Sequence, residues 1–576
     1  MVDGRLKSLV VKLAIIGLSA VFLASCANHP KINAEGPYWK DDDMKGIPEP
    51  EYEEPSLVWT SLKRTLSDQA IELLDMDRNV RKIAGRPVQA KNTNCFDEVP
   101  NSSWFTNRHG HPQTRLYREQ IEAGPDLTDG PDTSGVWEVF RPKVGGATPG
   151  FWIEDSRGDQ YIIKFDPADN PEMATAAAAM ASRYFYACGY NVPQESIVYW
   201  RPENLRVRKG ATIKDRSGNK RPLTMNDIND ILKKANREPD GSIRSLASLN
   251  VGNVKGPFMY EGIRKDDPND WCPHEHRREL RGLYVMGSLV NHYDLKDHNS
   301  MDVYVGEDGS GYLKHFLMDF GSSFGSDGQY VKIPRKGYAN MFDLRDIGVS
   351  TITFGLKTWA WQNAKPYQYP SIGYFESELF EPDKFDPIVP NPAFEQLTDQ
   401  DAYWGAKIVL SFSDDDLAAI VETGRLSDQN AAAYLLKTLV ERRDKIGRHW
   451  FGKINPLDYP AIESDDQGLQ ISFVDLAVEH GLEPATATYQ YEMRYKGKVV
   501  LGVAETDQTR ISVSSDERDR LLSLLQPAGS SSTVEDDVLE LRVRTRRVSG
   551  DVGKPVTFWL MPDQRSNGFA IAGIKH

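Results

Sequence analysis

The residues best suited to chemistry lie in the stretch 292–299 (HYDLKDHN) and at Asp319, which opens a D-F-G tripeptide. The stretch supplies a carboxylate at Asp294, an ammonium at Lys296 and an amide at Asn299. Phosphoryl transfer needs such a set: a base for the hydroxyl proton, a cation beside the moving group, and oxygen ligands for Mg²⁺. The pattern therefore predicts Asp294 as the base and Lys296 as the cation. Asn299 and Asp319 are the predicted metal ligands.

A nucleotide site also needs groups that hold phosphates, and the region before the stretch 292–299 offers candidates. Lys164 ends an alternating apolar strand and resembles the strand lysine of protein kinases, which implies that it holds the α- and β-phosphates. The same resemblance implies an acid on the next helix as the partner of this lysine. Glu172, at the start of the Ala-rich helix, is the candidate, although the helix dipole also favours an acid there. The third contribution is a turn whose backbone N–H groups could approach phosphates, formed by Gly145, Gly146 and Gly150.

These motifs resemble the catalytic machinery of the protein-kinase superfamily. The stretch 292–299 resembles the H-R-D-L-K-x-x-N catalytic loop, with Tyr293 where Arg is usual, and Asp319 opens the D-F-G turn. The turn 189–193 (GYNVP) is similar to one in HipA-type toxin kinases, and phosphoinositide and secretory-pathway kinases share the same site logic. The resemblance implies an atypical kinase core that uses ATP or another nucleotide with Mg²⁺. Because no A-P-E segment follows the D-F-G turn, the acceptor stays open.

The elements that must position these residues can be read from periodicity. Alternating residues predict strands at 136–140, 151–154, 161–165 and 197–200, with a helix over 172–188 after the third. A helix over 276–290 runs into the stretch 292–299, and a hairpin of strands 302–305 and 315–318 delivers Asp319. Later helices begin at the predicted N-caps Thr398, Ser413 and Ser427.

The predicted fold class is α+β, a two-lobed protein-kinase-like domain followed by a C-terminal β-sandwich-like domain. Length alone favours several domains, because 576 residues exceed one ordinary core. The predicted parts are a lipoprotein signal peptide (1–26), an acidic tether (27–56), a helical and irregular extension (57–135), the kinase-like domain (136–455) and the β domain (467–576). Within the kinase-like domain we expect a small lobe (136–202), an insertion (203–250) and a large lobe (251–455).

The first twenty-six residues predict a targeting signal. Its basic head is followed by the apolar run 13–24, which is too short to span a bilayer. The tetrapeptide ending at Cys26 (LASC) resembles the bacterial lipobox, which implies a lipid anchor on Cys26. Ala27, in place of Asp, favours the outer membrane and hence a periplasmic or surface face of the cell envelope. The alternative is an ordinary secretory signal. The chain also resembles uncharacterised proteobacterial lipoproteins that carry D-P-N-D, H-E-H-R-R-E-L-R-G and D-F-G-S.

Composition excludes one class of partner and leaves other questions open. A net charge of −14 argues against nucleic-acid binding, which needs a basic footprint. The remaining cysteines (Cys95, Cys188 and Cys272) could include one disulfide or be buried thiols. His274 and His276 could chelate a metal, although a helix-entry segment fits them better. Trp359 and Trp361 could line a groove, but core packing is the preferred interpretation.

The predicted location conflicts with the predicted chemistry, because the periplasm is expected to hold little ATP. One alternative is therefore a pseudokinase or binding scaffold of the cell envelope without catalysis. Another is a structural lipoprotein whose C-terminal β domain binds an envelope protein. Intact residues at positions 164, 294, 299 and 319 favour nucleotide chemistry over both.

Overall fold

The computed structural model describes residues 41–143, 148–214, 219–525, 538–548, 550–563 and 568–576. The predictions for Cys26, Gly145 and Gly146 lie outside these residues. Within them the chain is a mixed α/β protein, with a six-stranded sheet, a mainly helical region and a C-terminal β region.

The strands and helices are numbered here in chain order. The strands are β1 (Trp137–Pro142), β2 (Gly150–Glu154), β3 (Gln160–Phe165), β4 (Glu195–Trp200), β5 (Leu205–Val207), β6 (Thr212–Lys214), β7 (Lys220–Pro222), β8 (Ile243–Leu249), β9 (Ser300–Val305), β10 (Tyr312–Leu317), β11 (Ser326–Asp327), β12 (Tyr330–Val331), β13 (Leu457–Asp465), β14 (Gly468–Asp475), β15 (Thr488–Tyr495), β16 (Lys498–Thr506), β17 (Arg510–Ser514), β18 (Leu539–Arg547), β19 (Gly550–Asp563) and β20 (Gly568–Lys575). The helices are α1 (Leu57–Leu62), α2 (Gln69–Leu74), α3 (Met76–Ile83), α4 (Arg118–Ala123), α5 (Met173–Cys188), α6 (Met225–Leu232), α7 (Arg278–Leu289), α8 (Leu344–Ile352), α9 (Pro392–Glu395), α10 (Asp399–Ser411), α11 (Asp414–Thr423), α12 (Gln429–Phe451), α13 (Leu476–Glu479) and α14 (Ser515–Leu524). A π-helical segment, Lys63–Asp68, joins α1 to α2.

The six-stranded sheet has the order β4-β8-β3-β2-β1-β5. Strands β1, β2 and β3 form an antiparallel meander, as their alternating patterns predict. In β3 the apolar residues Tyr161, Ile163 and Phe165 are buried, which turns Lys164 to the opposite face. The predicted insertion 203–250 needs a correction, because it ends in β8, which pairs with both β3 and β4 inside the sheet. That strand is almost entirely buried, so it belongs to the core.

Helix α5 packs between the sheet and the helical region, and all but two of its 16 residues are buried. Its small alanines allow neighbouring elements to pack closely on every side. Because the helix is buried all round, it has no need of a polar face. The helix ends at Gly189, whose φ of 125° suits glycine; a Cβ there would also lie 2.4 Å from the Phe105 ring.

The helical region is centred on α7, whose 12 residues are all buried. It packs against α10 where Gly282 faces Trp404, with 2.7 Å between the ring and a Cβ built on the glycine. The predicted N-caps Thr398 and Ser413 are confirmed, since each side chain accepts an N–H of its helix. For α12 the cap is Asp428 rather than the predicted Ser427.

The C-terminal region contains a three-stranded sheet, β13-β14-β17, and a five-stranded sheet, β16-β15-β18-β19-β20. Side chains from both sheets, including Ile471 and Leu541, share one apolar core. The last strand also joins the region to the N-terminal extension, because the Ile574 N–H donates to the Cys95 carbonyl at 2.9 Å.

Cys95, Cys188 and Cys272 are all buried, and Cys188 and Cys272 are free thiols, as one of the two open interpretations predicted. Among the described residues, no helix combines the length and the apolar character needed to cross a membrane.

Candidate active site

The stretch 292–299 follows directly on α7, and its first residue is buried. The Nδ1 atom of His292 lies 3.0 Å from the Ser323 hydroxyl. Burial lowers the pKa of His292 to about 3, so the imidazole is neutral at physiological pH. His292 is therefore a positioning residue that ties the start of the loop to the segment after D-F-G.

Asp294 is held by two polar contacts. Lys296 Nζ lies 2.7 Å from its Oδ1, and the Asn299 amide nitrogen donates to its backbone carbonyl at 2.8 Å. Burial raises the pKa of Asp294, while the Lys296 ammonium opposes that rise. A carboxylate with a raised pKa is a better proton acceptor near neutral pH than an ordinary one.

Asp319 lies at the end of the β9–β10 hairpin in a left-handed conformation, with φ 61° and ψ 59°. A non-glycine residue in this region carries strain, which is found most often at functional sites. The Met318 N–H donates to the Asn299 carbonyl at 3.0 Å, so the two predicted metal ligands are joined through the backbone. The Lys164 ammonium lies 3.0 Å from Asp319 Oδ1 and lowers the pKa of that carboxyl to about 2.

The aromatic residue of D-F-G fixes this turn. Phe320 is fully buried and stacks on Phe185 of α5, with 5.3 Å between the ring centroids. His292 lies 5.5 Å from both rings. The three rings connect α5, the loop 292–299 and the D-F-G turn, so packing determines where Asp319 points.

Lys164 is positioned by its strand, and Gly150 contributes to that position. In the β2–β3 pair Gly150 lies opposite Lys164. A Cβ on Gly150 would stand 2.1 Å from the Ile163 carbonyl oxygen, so only glycine allows the two strands to approach this closely. The contact explains Gly150 by strand packing, whereas the sequence had suggested phosphate binding.

The structure does not bring Glu172 to Lys164. Glu172 adopts φ 68° before α5, and its carboxylate accepts the Ser427 N–H at 3.0 Å. The carboxylate that acts on Lys164 belongs to Glu195, at the start of β4. Burial tends to lower the pKa of Lys164, but Asp319 and Glu195 together outweigh it, so the pKa is raised.

Sequence reasoning missed Glu195 because its approach to Lys164 is non-local. Strand β8 lies between β3 and β4, so the sheet brings the two side chains together although 30 intervening residues separate them in the chain. Burial raises the pKa of Glu195 to about 7, against the opposing effect of Lys164. Neither carboxylate oxygen has a hydrogen-bond partner of good geometry within the described residues.

A second residue that sequence reasoning missed is the cation Lys143, directly after β1. Its Nζ donates to the Thr148 carbonyl at 2.8 Å, and its charge helps to lower the pKa of Asp319. Burial and the nearby Lys164 lower the pKa of Lys143. The available signal was its place directly before the glycine-rich turn.

Tyr293, which replaces the arginine usual in the kinase motif, has its own anchoring contacts. Its hydroxyl donates to Asp327, and Lys332 Nζ lies 4.8 Å from its ring centroid. The buried Lys332 amine donates to three backbone carbonyls, those of Asn291, Ser322 and Phe324. The loop and the segment after D-F-G are therefore connected without an arginine.

The N-terminal extension supports the opposite side of the loop. The Arg64 side chain is 1% exposed, and its Nε lies 3.2 Å from Asp297 Oδ2. The Pro55 carbonyl lies 2.8 Å from His298 Nε2, and Asp297 also accepts the Tyr260 N–H at 2.8 Å. The residues before and within the π-helical segment thus brace the loop that carries Asp294.

The oxygen donors of the site fit a hard divalent cation. Asn299 and Asp319 supply an amide oxygen and a carboxylate, ligands that Mg²⁺ combines with phosphate oxygens. Over the described ranges, no group of three or more His, Cys, Asp and Glu side chains could hold a metal ion. The metal alternative at His274 and His276 is wrong: His274 contacts Asp270 and the Met259 carbonyl, and His276 contacts Arg281.

Comparisons with known proteins give structural neighbours alone, since no family model and no curated protein matches the sequence. The chain is similar to the Helicobacter pylori proinflammatory kinase CtkA, at 12% identity and TM-score 0.30, over 55% of this chain and 98% of that one. It is similar to the Golgi casein kinase at 10% identity and TM-score 0.27, over 70% of this chain and 94% of that one. A structure of the Golgi casein kinase with Mn/ADP bound is similar at 12% identity and TM-score 0.25, over 70% of this chain and 94% of that one. At these levels of similarity, function has to be inferred from the side chains of the site.

Proposed function

We propose that this chain is an atypical kinase, which transfers the γ-phosphoryl group of ATP or another nucleotide to an acceptor hydroxyl. The observation that carries the proposal is the Lys164–Asp319 ion pair, with 3.0 Å between Nζ and Oδ1. It joins the sheet to the D-F-G turn, beside the Asp294–Lys296 pair. We propose further that the domain is two-lobed, with a β-sandwich-like C-terminal domain.

The side chains divide the chemistry among them. Asp294 accepts the proton of the acceptor hydroxyl. The hydroxyl oxygen bonds to the γ-phosphorus, and the bond between the γ-phosphorus and the β-phosphate oxygen breaks, so that the nucleoside diphosphate leaves. Lys296 stabilises the negative charge of the moving group. Lys164 and Lys143 bind the remaining phosphates. Asn299 and Asp319 would hold Mg²⁺, which neutralises phosphate charge when bound.

The anchor is part of the same proposal. We propose that Cys26 carries a lipid and holds the chain on the outer membrane of the cell envelope, with the kinase-like domain on its periplasmic or surface face. The wild type should then incorporate a radiolabelled fatty acid, and the Cys26→Ser variant should not. Label that persists in this variant would argue against lipidation at Cys26.

The second candidate function is nucleotide binding without catalysis, as in a pseudokinase scaffold. A departure from the kinase pattern favours it, because the acid beside Lys164 comes from β4 and not from helix α5. Both candidates require the same nucleotide site, and they differ in turnover.

Thermal unfolding with ATP and Mg²⁺ tests the shared requirement. A ligand that binds only the folded state increases the free energy of unfolding, by about 2.7 kcal/mol when its concentration is a hundred times the dissociation constant. The unfolding midpoint therefore rises. The wild type should shift, and Asp319→Ala should lose the magnesium-dependent part of that shift. Asp129→Asn is the matched control, because the Asp129 side chain is 98% exposed. An unshifted wild type, or an equal shift in Asp319→Ala, would refute the site.

A further inference from the structure

The N-terminal helices turn their polar face inward and their apolar face outward. Among the side chains whose burial the structure describes in α1, the π-helical segment, α2 and α3, the buried ones are all polar, namely Thr60, Arg64, Thr65, Gln69 and Arg78. The large apolar side chains described on the same helices are exposed: Leu57, Val58, Trp59, Leu62, Leu66, Ile71, Leu74, Met76, Val80 and Ile83. A helix on a water-facing surface normally has the reverse arrangement.

The inward polar face is held by specific contacts, so the outward face is fixed. Arg64 pairs with Asp297, and Arg78 Nη2 donates to the Glu395 carbonyl at 2.7 Å. Gln69 Nε2 donates to the Phe342 carbonyl at 2.8 Å. Turning the helices over would bury apolar groups against these partners and leave Asp297 unpaired.

A second apolar segment lies beside the helices. Gln69 also accepts the Leu344 N–H at 2.9 Å, which places the segment 341–361 against α2. Helix α8 in this segment has no buried residue, and Phe354 beyond it is 92% exposed. Trp359 and Trp361, for which core packing was preferred, line an open groove of about 550 Å³ instead.

The chemistry of the exposed side chains indicates what covers this surface. Arg64 and Arg78 face inward, so the outward side of residues 57–83 is mainly apolar and carries the surface ion pair of Arg81 with Asp77. Helices with one apolar side and one polar side are suited to the boundary of a lipid bilayer. Tryptophan at its edge is typical of the boundary between lipid headgroups and acyl chains.

The chain before the helices provides a second link to a bilayer. Residues 41–56 run along the protein, where the Ile47 N–H donates to the Gly311 carbonyl at 2.8 Å and Glu53 N–H to Lys255. Between Cys26 and Asp41 there remain 14 residues, which reach at most about 50 Å when extended. A lipid on Cys26, as proposed above, would therefore lie within about 50 Å of Asp41, where the described chain begins.

We propose that the exposed faces of α1–α3 and the segment 341–361 rest in the headgroup boundary of a lipid bilayer. The docked helices would also carry Arg64, which braces the loop of the candidate active site. The inference does not require phosphoryl transfer, and the nucleotide-dependent thermal shift of the same protein tests that activity separately.

Site-specific fluorescence tests this surface. In the full-length Cys26→Ser chain, single cysteines are introduced at Leu74, at Ile83 or, as a control, at Val503, and labelled with an environment-sensitive dye. These three side chains are 78%, 87% and 62% exposed, and Val503 lies on the distant strand β16. Vesicles of phosphatidylethanolamine and phosphatidylglycerol, with and without brominated acyl chains, are the probe.

The expected result is a blue shift and bromine quenching at positions 74 and 83, with an unchanged signal at position 503. Labels at 74 and 83 that stay in water when vesicles are added would overturn the proposal. A blue shift that grows with protein concentration in the absence of vesicles would also overturn it, because a second copy would then cover the face.

Discussion

The acid that partners Lys164 comes from a strand, and it lies in an unusual electrostatic setting. Glu195 is 1% exposed, and it lies near the Lys164 ammonium and the Asp319 carboxylate at the same time. A buried carboxyl between an ammonium and a second carboxylate can exchange its proton near neutral pH. The protonation state of Glu195 therefore determines how strongly this carboxyl group attracts the Lys164 ammonium before a nucleotide binds.

The Glu195→Gln variant should change the pH dependence of stability. Burial raises the pKa of Glu195 from 4.5 to about 7, so between these values the folded state keeps a proton that the unfolded state releases. The contribution of Glu195 to the free energy of unfolding is fully present below pH 4.5 and is lost as pH rises through 7. The stability of the variant relative to wild type should therefore increase from pH 5 to pH 8, by on the order of 2–3 kcal/mol.

Thermal unfolding at the two pH values measures this effect, and Glu172→Gln is the matched control. Glu172 directly precedes α5 and accepts the Ser427 N–H, so its substitution should shift both midpoints equally. Parallel behaviour of the two variants would contradict the placement of Glu195 beside Lys164.

At the scale of elements, the distance between β2 and β3 controls the position of Lys164. Gly150→Ala would place a methyl group 2.1 Å from the Ile163 carbonyl, which forces the strands apart. We expect a loss of stability of about 1–3 kcal/mol and weaker nucleotide binding, measured by chemical denaturation and calorimetry. Gly502→Ala, where a Cβ would meet nothing within 4 Å, should be neutral; equal effects would refute the packing role.

The contact between the N-terminal helices and the loop 292–299 makes a second prediction at this scale. Arg64→Met leaves Asp297 buried with the Tyr260 N–H as its remaining partner, which should cost about 3–5 kcal/mol. Arg81→Met removes a surface pair with Asp77 and should cost less than about 1 kcal/mol. Denaturant unfolding compares them, and adding Asp297→Asn to Arg64→Met should restore part of the loss. Equal costs for the two single variants would contradict the brace.

Local patterns predicted the elements that are defined by their own sequence. The β9–β10 hairpin before Asp319, the helix before the loop and the N-caps Thr398 and Ser413 depend on neighbouring residues, and the structure has them. Strand β8 was assigned to an insertion because its place in the sheet depends on strands far away in the chain. Glu195 was missed for the same reason. The brace by Arg64 was missed because 233 residues separate it from Asp297.

At the scale of the whole molecule, a buried charge cluster connects three regions. Lys407 of α10 pairs with Glu98 of the N-terminal extension and lies 2.6 Å from Asp458 of β13. Both carboxylates are buried, and the pKa of Lys407 is raised because they outweigh the effect of burial. The C-terminal His576 lies beside the cluster, with Nδ1 2.9 Å from Asp97.

Lys407→Met should weaken this junction at neutral pH. Removing the ammonium leaves two facing carboxylates without a counter-charge, at a cost of about 3–5 kcal/mol. The pKa values of both acids would rise in the variant, so the loss should shrink as pH falls and the acids become protonated. Denaturant unfolding at pH 7.5 and pH 5 measures the difference. A loss that is independent of pH would indicate a packing defect instead.

Phosphate transfer from γ-labelled ATP tests the central claim most directly. The wild type with Mg²⁺ should label itself, label an acceptor or release labelled phosphate. Asp294→Asn should still bind the nucleotide, but its turnover should fall by about 10²- to 10⁴-fold, because the proton acceptor is lost. Asp129→Asn should retain full turnover. A wild type without turnover, or an equally active Asp294→Asn variant, would contradict the assignment of this site as a phosphotransferase.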